Sequence, residues 1–231
     1  MAVLKWDEIG QHYYENGVDH GVLFVADENG SFYTGSSTTK KGVKGVAWNG
    51  LTNVTLSPEG AEPNDIYADN IKYLSLMSVE TLNATIEAYQ SPAEFDVCDG
   101  TVEIASNAGI TIGQQERRKF AFAFRTNMGS DANAKLGHTI HVIYGCLASP
   151  AERAYETIND SPDAMTLSWD VSTTPVNVTV GTDEKTTSLV TIHEYVNGVK
   201  NANYAKIEAM LIGDASNDSQ YMSPDDIIAA L

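Results

Sequence analysis

Positive charge is scarce in this chain, and cysteine is scarcer still. The 231 residues contain 14 Lys and Arg against 31 Asp and Glu, which gives a formal net charge of -17 at pH 7. A chain with this excess of acid lacks the basic surface that grips phosphate backbones, so we expect no tight nucleic-acid binding. The two cysteines, Cys98 and Cys146, have no partner at metal-ligand spacing, which predicts free, buried thiols.

Long apolar runs are also missing. No stretch approaches the ~20 apolar residues of a membrane-spanning helix, and no basic segment followed by an apolar one opens the sequence. We therefore expect a protein that is made in the cytoplasm and has no membrane span. Hydrophobic residues nevertheless make up 42% of the chain, which is enough for a sizeable core.

Motifs of enzymatic chemistry are absent from the sequence as well. Gly42, Gly45 and Gly50 fit neither a phosphate-binding loop nor a dinucleotide fingerprint, and no GxSxG nucleophile elbow occurs. His138 and His141 are close in sequence, but residues three apart on a strand point to opposite faces and cannot share one metal. We predict that the chain is not an enzyme and needs neither a cofactor nor a metal.

Alternation of apolar and polar residues is the pattern that dominates the sequence. Its longest instance runs from Tyr73 to Tyr89 without Gly or Pro and predicts one strand of roughly 55 Å, or two nearly continuous strands. Such an element would project beyond its own domain. Its predicted apolar face is formed by Leu82, Ala84, Ile86 and Ala88, and its predicted wet face by Thr81, Asn83, Thr85 and Glu87.

Shorter elements follow the same logic and make the predicted fold mainly β. Phe120, Phe122 and Phe124 should face one way, with Ala121 and Ala123 opposite. Further strands are predicted over residues 139–144, 165–171, 176–180 and 188–195. Helices are predicted over 91–99 and 203–212, and a third should start at Ser223-Pro224, where an N-cap precedes a proline.

Two stretches rich in Gly, Pro, Ser and charged residues, Asp27–Gly45 and Ser57–Asn70, are predicted to be long loops. Loops of this length are typically functional, and here we expect them to serve assembly. No linker divides the chain, so we predict a single domain over residues 1–231 with a helical segment over 203–231. Acids also cluster: seven of them and no basic residue lie between Lys72 and Arg117.

Several blocks of the sequence resemble the major tail tube proteins of long-tailed bacteriophages. The main block is GVAWNGLTNVTLSPEGAEPNDIYADNIKYLSLMSVETLNATIEAYQSPAEFDVCDG. YYENGVDHGVLF, GQQERRKFAFAFRT and HVIYGCLASPAERAYETINDSPDAMTLSWDVSTTPV resemble further blocks in the same order. The resemblance covers about residues 12–30 and 43–176, and Ser31–Lys44 has the character of an insertion.

The resemblance implies a β-sandwich or split-barrel fold with a flanking helix, whose long strands form an inner barrel when six subunits close a ring. Stacked rings would make the tail tube of a virion, with the tape measure and terminator proteins as partners, and DNA would pass through without tight binding. The wet face of Thr81, Asn83, Thr85 and Glu87 would then line the channel, although the opposite face stays possible. The expected inter-ring contacts are Glu59, Glu62, Asp65, Asp69, Ile227, Ile228 and Leu231.

Two other functions fit the sequence. A tail terminator or connector ring would also be small, acidic and self-associating, but it would not stack. A β-sandwich module that binds carbohydrate or peptide could use Trp48, Trp169, Tyr67 and Tyr89 as stacking faces.

Overall fold

Antiparallel strands dominate the computed structural model, which describes residues 6–7, 9–35, 40–60, 62–105, 109–150, 153–155, 157 and 164–231. The predicted mainly β fold is therefore confirmed. The strands are β1 Tyr13–Val25, β2 Tyr33–Thr34, β3 Lys41–Gly42, β4 Val46–Trp48, β5 Leu51–Glu59, β6 Pro63–Ala68, β7 Ile71–Met77, β8 Thr81–Ala88, β9 Val102–Glu103, β10 Thr111–Ile112, β11 Phe120–Ser130, β12 Gly137–Pro150, β13 Leu167–Thr173, β14 Val176–Val180, β15 Asp183–Thr187, β16 Leu189–His193, β17 Tyr195–Val196 and β18 Val199–Lys200. The helices are a 3-10 turn at Ala93–Phe95, α1 Asp96–Asp99, α2 Tyr204–Leu211 and α3 Pro224–Ala229.

The main sheet has the strand order β4-β1-β11-β12-β13-β8-β5, and β16 also pairs with β12. One edge of β12 pairs with two strands in succession: residues 139–143 pair with β16, and residues 146–150 pair with β13. Gly145 lies between the two halves with φ +62, where a Cβ atom would come within 2.1 Å of the Thr174 carbonyl oxygen. Only glycine fits this bend, where the strand paired with β12 changes from β16 to β13.

β11 is buried on both faces and so divides the interior into two cores. Phe120, Phe122 and Phe124 face a core with Trp48, Ile86 and Trp169, on the side that the folded-over sheet encloses. Ala121 and Ala123 face the other core, which the C-terminal helices cover. The predicted opposition of the phenylalanines and the alanines is thus confirmed, and the small alanines leave room for the side chains of Tyr144 and Tyr221.

The C-terminal helices pack on the outer face of β1, β11 and β12. Helix α2 confirms the prediction over 203–212 and buries Tyr204, Ile207 and Leu211 at helical spacing. Helix α3 begins with the predicted cap: the Ser223 hydroxyl accepts from the Asp226 backbone N–H, and the Asp226 carboxylate accepts from Ser223 in return. Among the described residues, no helix is long and apolar enough to span a membrane.

The long alternating segment matches one of its two predicted forms, and the loop before it needs correction. The stretch from Tyr73 to Tyr89 forms two nearly continuous strands, β7 and β8, separated by residues 78–80. The predicted loop Ser57–Asn70 is wrong, because it contains the end of β5 and all of β6. Its prolines suggested a loop, but Pro58 lies on an edge strand and Pro63 begins a strand, and both positions tolerate a missing N–H.

Three further predictions concern the start of β13, the Asp27–Gly45 region and the two cysteines. Met165, expected to face the core, is 40% exposed, since the strand begins two residues later at Leu167. The Asp27–Gly45 region contains only the short pair β2 and β3, and its residues 36–39 lie outside the described part. Cys98 and Cys146 are free and buried as predicted, and burial raises the pKa of the Cys98 thiol to about 12.

Candidate assembly interface

β6 and β7 form a hairpin that extends the β5–β8 pair away from the rest of the sheet; we call residues 63–77 the projecting arm. β6 pairs with β7 from Pro63↔Met77 to Ala68↔Ile71. Asp69 and Asn70 form its turn with φ +51 and +64. Asp and Asn tolerate this left-handed backbone at low cost, and a turn with two positive φ values matches the twist of a hairpin.

The projecting arm exposes large apolar side chains that have no place in either core. Tyr67 is 68% exposed, Tyr73 67% and Met77 72%. Ile66, Ile71, Leu74 and Leu76 are also among the exposed large hydrophobic residues. None of the arm's residues belongs to the two buried clusters or packs against them. Large apolar side chains exposed together on one hairpin indicate a site of protein association.

A second surface lies on the outer side of β5, β8 and β13; we call it the polar sheet face. The strand registers place Thr55, Thr85 and Asp170 in one row across it. Its members are Asn53, Thr55, Ser57, Glu59, Thr81, Asn83, Thr85, Glu87, Ser168, Asp170 and Ser172, and none of them is buried. The four wet-face residues predicted on β8 all belong to it, while Ala84, Ile86 and Ala88 are buried on the opposite side.

Charge on the polar sheet face has one sign. Glu59, Glu87 and Asp170 are its ionisable members, and β5, β8 and β13 contain no Lys or Arg. The Thr85 hydroxyl donates to the Asp170 carboxylate at 3.2 Å. Small hydroxyl and amide side chains therefore separate a few carboxylates, and the face offers no cation to a phosphate group.

The acidic block between Lys72 and Arg117 is less uniform than its sequence suggests. Asp99 lies half-buried, with the guanidinium of Arg153 at 2.9 Å from its Oδ2 atom. Burial raises the pKa values of both Asp99 and Asp96. Part of the block therefore belongs to a packed and paired region, Glu87 on β8 is half-buried, and the exposed acids of the block are Glu80, Glu94, Glu103 and Glu116.

The residues expected at inter-ring contacts lie in two different parts of the structure, the projecting arm and the C-terminal helix. Glu62, Asp65 and Asp69 lie on or beside the projecting arm, and Glu59 ends the adjoining strand. At the C-terminus Ile228 is 40% and Leu231 68% exposed. Ile227, in contrast, is 5% exposed and belongs to the core under α3, so its side chain is not on the surface of the subunit.

A third surface was not predicted from the sequence: a groove between β3 and the C-terminal helices, which we call the lysine groove. It is lined by Lys40, Lys41, Lys206, Met210, Tyr221 and Ala229, among others. Lys40 Nζ lies 3.6 Å from the centre of the Tyr33 ring, and Lys206 Nζ donates to the Ala230 carbonyl at 3.0 Å. Lys206 meets the adjacent pair Lys40 and Lys41 here across a long stretch of sequence, which no local motif could have indicated.

The histidines lie in ordinary hydrogen-bonding positions. His138 Nδ1 lies 3.3 Å from Glu194, while His141 and His193 flank the Glu15 carboxylate at 3.6 and 3.7 Å. Burial lowers the pKa of His141. Within the described residues, no group of three or more His, Cys, Asp or Glu side chains could hold a metal ion.

The aromatic residues of the binding-module alternative are divided between the core and the surface. Trp48 and Trp169 are 2% and 0% exposed and contact each other edge to face, with ring centres 5.4 Å apart. Tyr67 and Tyr89 are 68% and 55% exposed. Both tryptophans are therefore packing residues and offer no open face to a sugar ring.

Comparisons with known proteins gave structural neighbours only. No family model matches the sequence, and no curated protein matches it significantly. One similar chain comes from the cryo-EM structure of the anti-feeding prophage baseplate, with 6% identity, coverage of 82% of this chain and 97% of that chain, and a TM-score of 0.32. Another comes from the sheath-tube complex of an extracellular contractile injection system, with 11% identity, coverage of 80% and 92%, and a TM-score of 0.28.

Proposed function

We propose that this chain is a structural virion protein whose hexameric rings stack into the tail tube of a long-tailed bacteriophage, through which DNA is delivered to the host. The projecting arm is the observation that carries the proposal, because a subunit with such an arm needs a neighbour. The blocks of sequence that resemble tail tube proteins support the same function. On this proposal the protein is not an enzyme and uses no cofactor.

The energetics of the projecting arm favour association. Fully burying one large apolar side chain contributes about 1.5–3 kcal/mol, and the arm exposes several of them. A two-stranded hairpin is by itself marginally stable in water, so contact with another subunit would also stabilise the arm. Association costs each subunit translational and rotational freedom. Contacts that repeat within a ring and between stacked rings offset this cost.

The open edge of the sheet is a second reason to expect neighbours. β5 ends the strand order, so within the described residues its outer edge pairs with no strand. Exposed edges are ready to pair with another chain, and closure into a barrel removes them. In a ring, β5 of each subunit would lie beside the sheet of the next one.

The polar sheet face suits the wall of a DNA channel. Tight DNA binding comes from cations that neutralise phosphates, and this face carries carboxylates and small polar groups instead. With a Debye length of about 8 Å at physiological salt, repulsion from the wall would act only at short range. DNA would thus meet a smooth surface that does not retain it.

Negative-stain microscopy of the purified protein tests this function. We expect long tubes built from repeated rings of uniform diameter. Single rings that never stack would instead favour a tail terminator or connector. A protein that stays monomeric at high concentration and is retained on a glycan or peptide array would overturn the proposal in favour of a binding module.

A further inference from the structure

We infer that the lysine groove of one copy receives the projecting arm of a second copy. This inference rests on the proposed function, because it specifies one of the contacts by which subunits would assemble. It joins the two surfaces that the isolated subunit leaves unsatisfied: an exposed apolar hairpin and a concave surface with excess positive charge. No residue of the arm lines the groove of its own chain.

The lysine groove combines an apolar floor with a basic rim. Met210, Tyr221 and Ala229 contribute to the floor of a cavity of about 360 Å³. Lys40 and Lys41 are exposed at the rim. The lining holds three lysines, Lys40, Lys41 and Lys206, against one carboxylate, Asp226, so positive charge is in excess although Asp226 offsets part of it.

The projecting arm has the complementary character. Besides its exposed apolar residues, Glu62, Asp65 and Asp69 lie on or beside it, against one basic residue, Lys72. Lys72 is itself paired with Asp65 at 2.7 Å, so the acids at either end of β6 remain for an outside partner. An acidic, apolar hairpin matches a groove that is basic at the rim and apolar at the floor.

The net charge of the chain limits which surfaces of two copies can bind each other. Two copies at -17 repel each other, so a stable contact must place acids of one copy against bases of the next. A second groove also carries cations, but two of its three are neutralised: Arg125 pairs with Asp19 and Glu208, and Lys200 pairs with Glu194, which leaves Lys135. The lysine groove therefore offers the positive charge that the arm lacks.

A charge-swap experiment on the full-length protein tests the contact. K40E/K41E reverses the rim of the groove, and E62K/D69K reverses the charge of the arm. We expect each variant alone to need at least about tenfold higher protein concentration to form tubes, because like charges then meet. An equimolar mixture of the two should recover assembly, since each reversed surface finds its complement on the other variant.

K135E/K185E is the matched control, because it changes the net charge equally at exposed lysines outside the groove. It should assemble like the wild type, and circular dichroism should show all variants folded. Folded K40E/K41E that assembles at the wild-type concentration would overturn the contact but leave the proposed function standing. A wild type that never forms tubes would overturn the proposed function and the contact with it.

Cysteine cross-linking gives a second readout that does not depend on charge. Y67C in one copy and A229C in another should form a disulfide-linked dimer in assembled tubes under mild oxidation. Y67C combined with K185C should not, because Lys185 lies on a separate hairpin. The contact would be refuted if the two pairs cross-linked equally.

Discussion

Lys72 Nζ lies 2.7 Å from Asp65 Oδ1, and this ion pair joins the two strands of the projecting arm. The Ser75 hydroxyl donates to the same carboxylate oxygen at 2.6 Å, and together these contacts lower the pKa of Asp65. Exposed ion pairs of this kind contribute little to stability because solvent screens them. Weak contacts within the hairpin hold the arm, and neither core includes its residues. Removing the arm should therefore leave the stability of the subunit nearly unchanged.

Removing the arm should abolish assembly and spare folding. Glu59 pairs directly with Thr81, so residues 60–80 can be replaced by Asn-Gly as a two-residue hairpin loop. We expect thermal unfolding within a few degrees of the wild type and no tubes by electron microscopy. A shortened protein that still forms tubes would show that the arm is dispensable; one that unfolds would show that it supports the core.

Neighbouring residues on β8 should respond very differently to truncation. Ile86 is fully buried between the layers, so Ile86→Ala should lower the free energy of unfolding by about 3 kcal/mol. Thr85→Ala removes one hydrogen bond to Asp170 on the polar sheet face and should cost less than about 1 kcal/mol. Urea denaturation of both variants measures this difference, and equal losses would contradict the assignment of the two faces.

Lysines on the polar sheet face should convert an acidic channel wall into one that binds DNA. We expect tubes of N83K/T85K to retain double-stranded DNA at low salt, with retention falling steeply as salt rises. Thr182→Lys, at the exposed turn of the β14–β15 hairpin, is the control and should not cause retention in the channel. Equal DNA retention by wild-type and N83K/T85K tubes would argue against this face as the wall.

The attachment of the N-terminal segment should depend on pH. The Asp131 carboxylate accepts from the Gly10 N–H at 2.9 Å and lies 3.1 Å from His12 Nδ1. These contacts lower the pKa of Asp131 from 3.8 to about 2 and raise that of His12 above 6.5. Because the Asp131 contribution is lost as pH falls through the lowered pKa, and that of His12 as pH rises through the raised pKa, attachment should be strongest between about pH 4 and 6.5.

NMR titration of His12 checks this expectation. In the wild type its pKa should lie above 6.5, and in Asp131→Asn it should fall because the main carboxylate partner is gone, with Asp7 at 3.7 Å the remaining one. An unchanged His12 pKa in Asp131→Asn would mean that the two side chains do not interact in solution.

Arg125 connects a strand of the sheet to a helix. Its guanidinium lies 2.9 Å from Asp19 on β1 and 3.0 Å from Glu208 on α2, and its side chain is only 14% exposed. Arg125→Ala should therefore lower the free energy of unfolding by about 2 kcal/mol, since two carboxylates lose a partner. Arg118→Ala, which breaks an exposed pair with Glu28, should cost under about 1 kcal/mol in the same measurement.

The sequence predicted the features that depend on local periodicity. The buried alternation of Ala84, Ile86 and Ala88, the two-sided burial of β11 and the cap at Ser223 all follow from side-chain spacing or from one short motif. The projecting arm was only half predicted, because Pro58 and Pro63 suggested a loop in a segment whose edge position tolerates them. Periodicity also could not locate the break at residues 78–80, since both strands share one uninterrupted alternation.

Features that depend on tertiary contacts could not be predicted from the sequence. The lysine groove brings Lys40 and Lys41 to Lys206, and the Glu15 carboxylate joins histidines from β12 and β16. Neither cluster has a sequence spacing that could be recognised in advance. The burial of Ile227 was missed for the same reason, because which face of α3 packs inward depends on the position of the helix on the sheet.

A cryo-EM map of the assembled protein tests the central claim most directly, since it shows both the assembly and the wall of its channel. We predict sixfold rings stacked into a continuous tube, with Thr81, Asn83, Thr85 and Glu87 facing the lumen and the projecting arm buried between subunits. A tube whose lumen is lined by lysine and arginine, or whose arms remain exposed to solvent, would contradict it.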